Sequence, residues 1–283
     1  MIALSAESTI DLTPELLNKY GIKIVHFHLE KEGVTYLDNE FTNEELFEFT
    51  KTTGKLCHTA AVNIEELENH FQTLKRSGAD QIIHFTISSG LSSGYPNAVV
   101  ASHEDPNIFV LDSHGTSGEI ALLAIYAYQL IQKGKSFEEI KKELLRRREN
   151  AKCSFIIDTL YFLQKGGRCS KLALFGANLL HIKPVIMCDK EGKFIIGKKY
   201  RGTYTKCVMN YVKDHLASYP VIDKSMCFIN YSTAEESDLK MIQDYLYSFG
   251  FQQVVTTKAC PTNSYHAGPK ALGVQFLTDL PEE

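Results

Sequence analysis

The chain has no tryptophan, eight prolines in 283 residues, and no apolar run near the roughly 20 residues that a membrane-spanning helix needs. Stable insertion into a bilayer is therefore not expected. The start, Met1-Ile-Ala-Leu-Ser5, lacks the basic segment and long apolar core of an export signal. The seven cysteines are odd in number and widely spaced, with no CxxC pair. That disfavours a disulfide framework or a zinc cage and favours reduced thiols in a cytoplasm, with no metal site expected. A net charge of -4 disfavours a general nucleic-acid or anionic-membrane surface. Also missing are a GxGxxG opening a helix after the first strand, a GxxxxGK[ST] loop and an HExxH helix, and with them the common dinucleotide, nucleotide and zinc-protease sites.

What is present is enough apolar sequence, 44% of residues, to build a large core, in a chain long enough for two domains. The first half alternates helix and strand signals. Thr13-Pro14 starts a helix, and Ile22 to Leu29 reads as one strand. Thr42 with Glu45, Asn63 with Glu66 and Ser136 with Glu139 have capping-box spacing and open further helices. Gln81 to Ile87 and Ile108 to Leu111 have strand length, and each follows a helical segment, the order of βαβ units with a parallel sheet. Helices are expected near Gly118 to Lys133 and Phe137 to Glu149. The run Arg146-Arg-Arg148 reads as a solvated helix end.

The second half changes rhythm. Strands are expected at Ser154 to Ile157, Ile182 to Cys188, Phe194 to Tyr200, Met226 to Tyr231, Gln252 to Thr257 and Leu272 to Phe276. Asp189-Lys-Glu-Gly192 is a hairpin signal between the second and third of them. Helices are expected at Thr203 to Leu216 and Glu235 to Phe249. The fold class is α/β in two domains. Residues 1–149 form an N-terminal parallel-sheet α/β domain, and residues 150–283 a C-terminal α+β domain with a mixed sheet.

The densest local signal is Tyr161-Phe-Leu-Gln-Lys-Gly-Gly-Arg168, followed through Cys169-Ser170 by Gly176 and Leu180-His-Ile-Lys-Pro-Val-Ile-Met187. Its pattern is a short helix, a turn at Gly166-Gly167, Arg168, a second short helix and a β-branched strand. Arg168 offers a planar fork of donors suited to an acidic group. Three loops follow strand signals, where open α/β sheets present ligands: Cys57-His-Thr59, Ser88-Ser-Gly-Leu-Ser-Ser-Gly94 and Asp112-Ser-His-Gly-Thr-Ser-Gly118. His266 sits in a Gly/Pro-rich stretch, Tyr265-His-Ala-Gly-Pro-Lys270, read as a loop before the last strand. Two enzymatic alternatives stay open. Gly90-Leu-Ser-Ser-Gly94 meets the GxSxG spacing, so Ser92 with His266 and either Asp223 or Asp238 could form a serine hydrolase acting on an acyl ester. Cys57 could serve a thiol-dependent reaction.

Taken together these segments resemble the DegV family of bacterial fatty-acid-binding proteins. The resemblance runs over nearly the whole chain: Glu7-Ser-Thr-Ile-Asp-Leu12, Thr59, Ile87-Ser-Ser-Gly-Leu-Ser92, Asp112-Ser113, Leu163-Gln-Lys-Gly-Gly-Arg168, Ile182-Lys-Pro184, and His266 with Gly268-Pro269. It implies a long-chain fatty acid held between two domains, with its carboxylate on Thr59, Ser89 or its neighbour Ser88, Arg168 and His266, beside the Gly166-Gly167 turn. It implies no cofactor beyond that ligand and no catalysis by this chain. The partner implied is a separate ATP-dependent fatty-acid kinase that makes acyl phosphate for phospholipid synthesis, docked through Arg201. The chain departs from the family where Ser-Gln-Pro after the threonine becomes Ala60-Ala-Val62, and where Ser-Gly-Thr becomes Ser92-Ser-Gly94. A carrier of some other apolar acid would share this fold.

Overall fold

The structure is a computed structural model and describes residues 1–168 and 182–278, with Cys153 described by its backbone alone. Cys169, Ser170, Gly176 and the short helix expected after Arg168 lie outside the described residues. In chain order the elements are β1 (Ile2–Glu7), α1 (Pro14–Tyr20), β2 (Ile22–Val25), β3 (His28–Lys31), β4 (Val34–Leu37), α2 (Asn43–Thr53), β5 (His58–Ala60), α3 (Ile64–Arg76), β6 (Gln81–Thr86), α4 (Gly94–Ala101), β7 (Ile108–Asp112), α5 (Gly118–Gln132), α6 (Phe137–Arg148), β8 (Ala151–Ile156), α7 (Tyr161–Gly166), β9 (Ile182–Cys188), β10 (Phe194–Arg201), α8 (Tyr204–Ala217), β11 (Cys227–Tyr231), α9 (Glu236–Phe249), β12 (Val254–Lys258), α10 (Pro261–Ala267) and β13 (Leu272–Leu277).

The strands form three sheets. One is parallel, in the order β2-β1-β6-β7. A second is mixed, in the order β10-β9-β8-β13-β11-β12, with only β11 and β12 parallel among its pairs. The third is a small antiparallel sheet, β4-β3-β5. The mixed α/β class expected from the two rhythms of the sequence is the class observed. Local chemistry sets the helix starts: Thr13 accepts from Leu16 N, with Pro14 at the first helical position. The boxes at Thr42/Glu45, Asn63/Glu66 and Ser136/Glu139 all close reciprocally.

Four expectations need correction. The single strand Ile22 to Leu29 is two strands, broken at His26-Phe27. Phe27 turns into the core, and its amide donates to Ser8 Oγ at 3.1 Å, which sends β3 into the small sheet. Thr59 therefore stands in a strand of the antiparallel sheet, not in a loop after a parallel strand. His266 lies on a helix, α10, whose Pro261 occupies the first turn, where its missing N–H is not needed. The arginine run is not fully solvated: Arg147 pairs with Asp223 at 2.7 Å and Arg148 Nη1 donates to the Asp112 carbonyl at 3.1 Å.

Helix α5 is buried on nearly all sides because sheets cover it from two directions; Ile120, Leu123 and Ala124 are almost fully enclosed. It packs on β1 and β6 of the parallel sheet and on β8, β11 and β13 of the mixed one. Gly118 permits that approach. A Cβ there would stand 2.5 Å from Asn230 Oδ1 and 2.8 Å from Phe228 Cβ, and its amide donates to Asn230 Oδ1 at 3.0 Å. The core around α5 includes Phe228 and Leu277 of the mixed sheet, so apolar packing is continuous across the halves of the chain. No helix among the described residues is long and apolar enough to cross a membrane.

Candidate functional site

Between the parallel and mixed sheets lies a cavity of about 280 Å³, close to the lower end of the roughly 300–1,000 Å³ usual for small-ligand sites. Its apolar lining comes from both halves of the chain: Phe27, Ile87 and Leu91 from the first, and Phe155, Phe194 and Leu272 from the second. At one end Thr59, Arg168 and His266 close it.

Three elements position these groups. Strand β5 carries Thr59, the end of α7 carries Arg168, and α10 carries His266. Thr59 Oγ1 and His266 Nε2 share a hydrogen bond of 2.7 Å. The neighbouring Tyr265 hydroxyl is 2.7 Å from Thr50 Oγ1 and accepts from the Cys57 amide at 2.7 Å, so α10 is stitched to the approach of β5 by adjacent residues. The start of α10 is tied to the first half of the chain by two buried carboxyls. Asp11 accepts from Cys260 N at 2.7 Å, from Asn263 Nδ2 at 2.9 Å and from the Ser117 hydroxyl. Asp38 accepts from Thr262 Oγ1 at 2.9 Å and Ser8 Oγ at 2.8 Å. These anchors were not foreseen. The available signal for Asp11 was a carboxylate just past the end of an apolar strand; Asp38 carried none.

Gly166 is the last residue of α7, and Gly167 caps it in the left-handed region at φ 70°. A Cβ on Gly166 would stand 2.5 Å from His266 Nδ1, so only glycine lets α7 and the imidazole pack this closely. Gly167 has nothing within 4 Å of such an atom and serves the turn alone. The turn delivers Arg168 to the cavity, where Nη1 donates to the Gly166 carbonyl at 2.6 Å.

Burial, and then the nearby Arg168 guanidinium, pushes the His266 imidazole down to about 4. It is neutral near pH 7 and presents one N–H. The cavity end therefore offers one fixed cation, one neutral imidazole and one hydroxyl, a set suited to a single negative charge held by hydrogen bonds.

The serines differ from expectation. Ser88 is fully buried and turned into its own loop, with Oγ accepting from Gly90 N at 3.1 Å and its amide donating to the Gly115 carbonyl. Ser89 is exposed, with its amide on Asp112. Neither lines the cavity; Ser92 and Ser93 do, because one further turn of the loop is needed to reach it from β6. Arg201 ends β10 on the surface, away from the cavity lining.

The hydrolase alternative fails on geometry. Ser92 Oγ accepts from Gly94 N, while the His266 imidazole is engaged by Thr59. Asp223 is paired with Arg147, and Asp238 accepts from Thr205 Oγ1. Among the described residues Ser92, His266 and these two acids do not converge as nucleophile, base and acid. Burial raises the Cys57 thiol above its ordinary value, which disfavours the thiolate a cysteine mechanism needs.

A family model described as "Uncharacterised protein, DegV family" matches residues 1–279. The chain belongs to the DegV family. A protein of Thermotoga maritima called a fatty acid-binding protein is 31% identical over 207 residues, spanning 71% of this chain and 72% of that one. The solved structure of DegV, a fatty acid binding protein from Bacillus subtilis, superposes with a TM-score of 0.82 at 26% identity over 98% of this chain and 99% of that one. The Streptococcus pneumoniae Fatty Acid Kinase (Fak) B3 protein, solved loaded with linoleic acid, shares the DegV fold with a TM-score of 0.85 at 21% identity over 99% of this chain and all of that one.

Proposed function

We propose that this chain binds one long-chain fatty acid in the cavity between its sheets and presents the carboxylate to a separate ATP-dependent fatty-acid kinase. It acts as a carrier in the cytoplasm and not as a catalyst. The reading rests on one observation: an apolar cavity closed at one end by Thr59, Arg168 and His266. Burying each methylene contributes about 0.8 kcal/mol, so a tail of roughly 16 carbons supplies ample affinity after the costs of association and ordering. The acid needs only a few donors to stay bound as an anion, and Thr59, His266, Arg168 and the Ser92-Ser93 turn supply them.

The 31%-identical Thermotoga protein and the 26%-identical Bacillus structure, both named as fatty-acid binders, support the ligand class. The kinase partner follows from the family resemblance. We assign residues 1–149 and 150–278 to two lobes that share the cavity.

Native mass spectrometry of the protein purified from a bacterial host tests the ligand. A co-purifying species of fatty-acid mass is expected, and a bare protein that also fails to retain added palmitate sinks the reading. Acyl phosphate formed only when the loaded carrier, the kinase and ATP are combined tests the partner.

A further inference from the structure

The turn of the β9–β10 hairpin meets the first half of the chain by contact alone. The turn itself is tightly built. The Glu191 and Lys193 amides both donate to Asp189 Oδ1, at 2.9 and 3.0 Å, and the Gly192 amide donates to the Asp189 carbonyl at 3.0 Å. It sits on two loops of the first half. A Cβ on Gly90 would stand 2.7 Å from the Glu191 carbonyl oxygen, and one on Gly192 would collide with Ser88 Oγ and stand 3.1 Å from His114 Cα. Only glycine permits so close an approach at either position. Among the described residues no hydrogen bond or ion pair links residues 189–193 to Ser88, Gly90 or His114.

The base of the hairpin is held differently. The Tyr200 hydroxyl donates to Asp214 Oδ2 of α8 at 2.6 Å, and Lys198 pairs with the same carboxylate at 2.5 Å. Between base and turn the ladder is broken. Ile196 faces Ile186 and Lys199 faces Pro184, so Gly197 and Lys198 stand opposite Val185 alone. An extra residue of this kind leaves the ladder locally unpaired and bends the strand. Pro184 brings no N–H to it. Strand β10 is also the edge of its sheet, so no further strand restrains it from outside. The hairpin has a pinned base, a bulge of the kind that absorbs changes in backbone angle, and a rigid turn on a seat without bonds.

Phe194, the first residue of β10 after that turn, lines the cavity. Its ring meets Phe155, another lining residue, edge to face at 5.3 Å, and it packs on the apolar clusters of both halves. Any swing of the turn about the bulge carries Phe194 with it. We propose that the β9–β10 hairpin is a hinged gate. Its turn lifts from the Ser88, Gly90 and His114 loops, draws Phe194 out of the cavity wall and opens a path for the ligand's hydrocarbon tail. The inference rests on the fatty-acid reading above. A tail enclosed between two sheets needs one wall that moves. Seating by van der Waals contact, weak for each atom pair, is readily left and remade. By contrast Thr59, Asp11 and Asp38 bond α10 to the first half, so that wall stays in place.

A gate changes uptake and release together and leaves affinity nearly untouched, which separates it from a residue that merely touches the ligand. The test follows uptake and release of radiolabelled palmitate by the intact protein. Lys193 Cγ lies 2.9 Å from where a Gly90 Cβ would stand, so Gly90→Cys with Lys193→Cys places two thiols within disulfide reach. Oxidation of that protein is expected to slow both rates about tenfold and reduction to restore them, with affinity within threefold and oxidant-treated wild type unchanged. Gly90→Ala, whose methyl drives the Glu191 carbonyl off its seat, is expected to speed both rates several-fold with the same affinity. One rate shared by oxidised, cross-linked and reduced protein overturns the inference. So does a folded Gly90→Ala protein that exchanges palmitate at the wild-type rate, or one in which only release changes and affinity falls with it; where the cross-link does not form, Gly90→Ala decides alone. In each of these cases palmitate still binds and the fatty-acid reading stands. A wild-type protein that never takes up palmitate overturns that reading and this inference together.

Discussion

Thr59 Oγ1 and His266 Nε2 stand 2.7 Å apart although 207 positions separate them in the chain. The contact joins a strand of the smallest sheet to a helix that precedes the last strand. With His266 neutral, the hydroxyl and the imidazole orient each other, and of their two donors one is spent in the bond and one is left for a bound acid. Thr59→Val keeps the β-branched shape that suits β5 and deletes only the oxygen. Fatty-acid affinity is expected to fall by about 1 kcal/mol, roughly fivefold, the usual worth of one such hydrogen bond. Titration with palmitate checks it, and an affinity equal to wild type removes Thr59 from the head-group set.

The two glycines before Arg168 separate steric from conformational demands. Gly166→Ala drives a methyl against His266 Nδ1, so the imidazole must shift and ligand retention should fall several-fold. Gly167→Ala has open space around it but must keep φ near 70°, which costs about 1 kcal/mol of stability and leaves binding intact. Paired melting and binding curves check both. The opposite pattern, with Gly167→Ala losing ligand and Gly166→Ala keeping it, contradicts the close packing described here.

Much of this arrangement was legible in the sequence where the signal was local. The three capping boxes, the hairpin at Asp189 to Gly192 and the α/β rhythm rest on short-range chemistry and appear in the structure. Features set by distant partners were not legible. The break at His26-Phe27 depends on Phe27 burying itself and on Ser8, and α10 is a helix because Asp11 and Asp38 hold its first turn. His266, Thr59 and Arg168 could be singled out as residues, yet the sequence does not say that the first two bond to each other. Which serines line the cavity was hidden for the same reason: Ser92 and Ser93 do and Ser88 and Ser89 do not, and a run of four serines within six positions does not reveal which of them faces inward.

That run yields its own prediction. Ser92 and Ser93 line the cavity, whereas Ser88 is tied into its loop. The double change Ser92→Ala with Ser93→Ala should lower palmitate affinity several-fold. Ser88→Ala should lower thermal stability through the lost Gly90 contact and leave affinity within twofold. A Ser88→Ala protein that loses ligand while melting normally would return the contact to Ser88.

Stability should peak near neutral pH, for opposing reasons on its two sides. Burial lowers His70, His215 and His266 to about 4 and His84 to about 3, so the folded protein holds fewer protons than the unfolded chain below pH 6.5. Stability therefore falls as pH drops from 6.5 towards 4. Burial raises Glu7 from 4.5 to about 8 and Asp11 from 3.8 to about 6, so these carboxyls take up protons on folding. They oppose the histidines in acid, and between pH 7 and 8 Glu7 makes stability decline, by at most about 1.4 kcal/mol per pH unit, a fall that the Cys227 and Cys260 thiols, raised by burial, continue at higher pH. Urea midpoints at pH 5, 7 and 8.5 trace the dome. Glu7→Gln, which keeps an acceptor for the Ile87 amide, should flatten the alkaline side; an unchanged slope there would show that Glu7 is ionised when folded.

Arg201 separates binding from presentation. It ends β10, the edge strand of the mixed sheet, is exposed, and has no ion-pair partner among the described residues. A cation so placed contributes little to folding, so Arg201→Ala should change stability by no more than about 0.5 kcal/mol and leave the co-purifying lipid in place. If it docks the kinase, its loss should slow acyl-phosphate formation about tenfold at low carrier concentration and less at saturation, because association and not chemistry is impaired. Arg201→Glu should be slower still, and the wild-type rate should fall with added salt as attraction between the surfaces is screened. Steady-state assays over carrier concentration and ionic strength read each of these. Release of lipid by Arg201→Ala would place this residue's effect inside the carrier instead of at its partner, and an unaltered rate would move the docking surface elsewhere on the molecule.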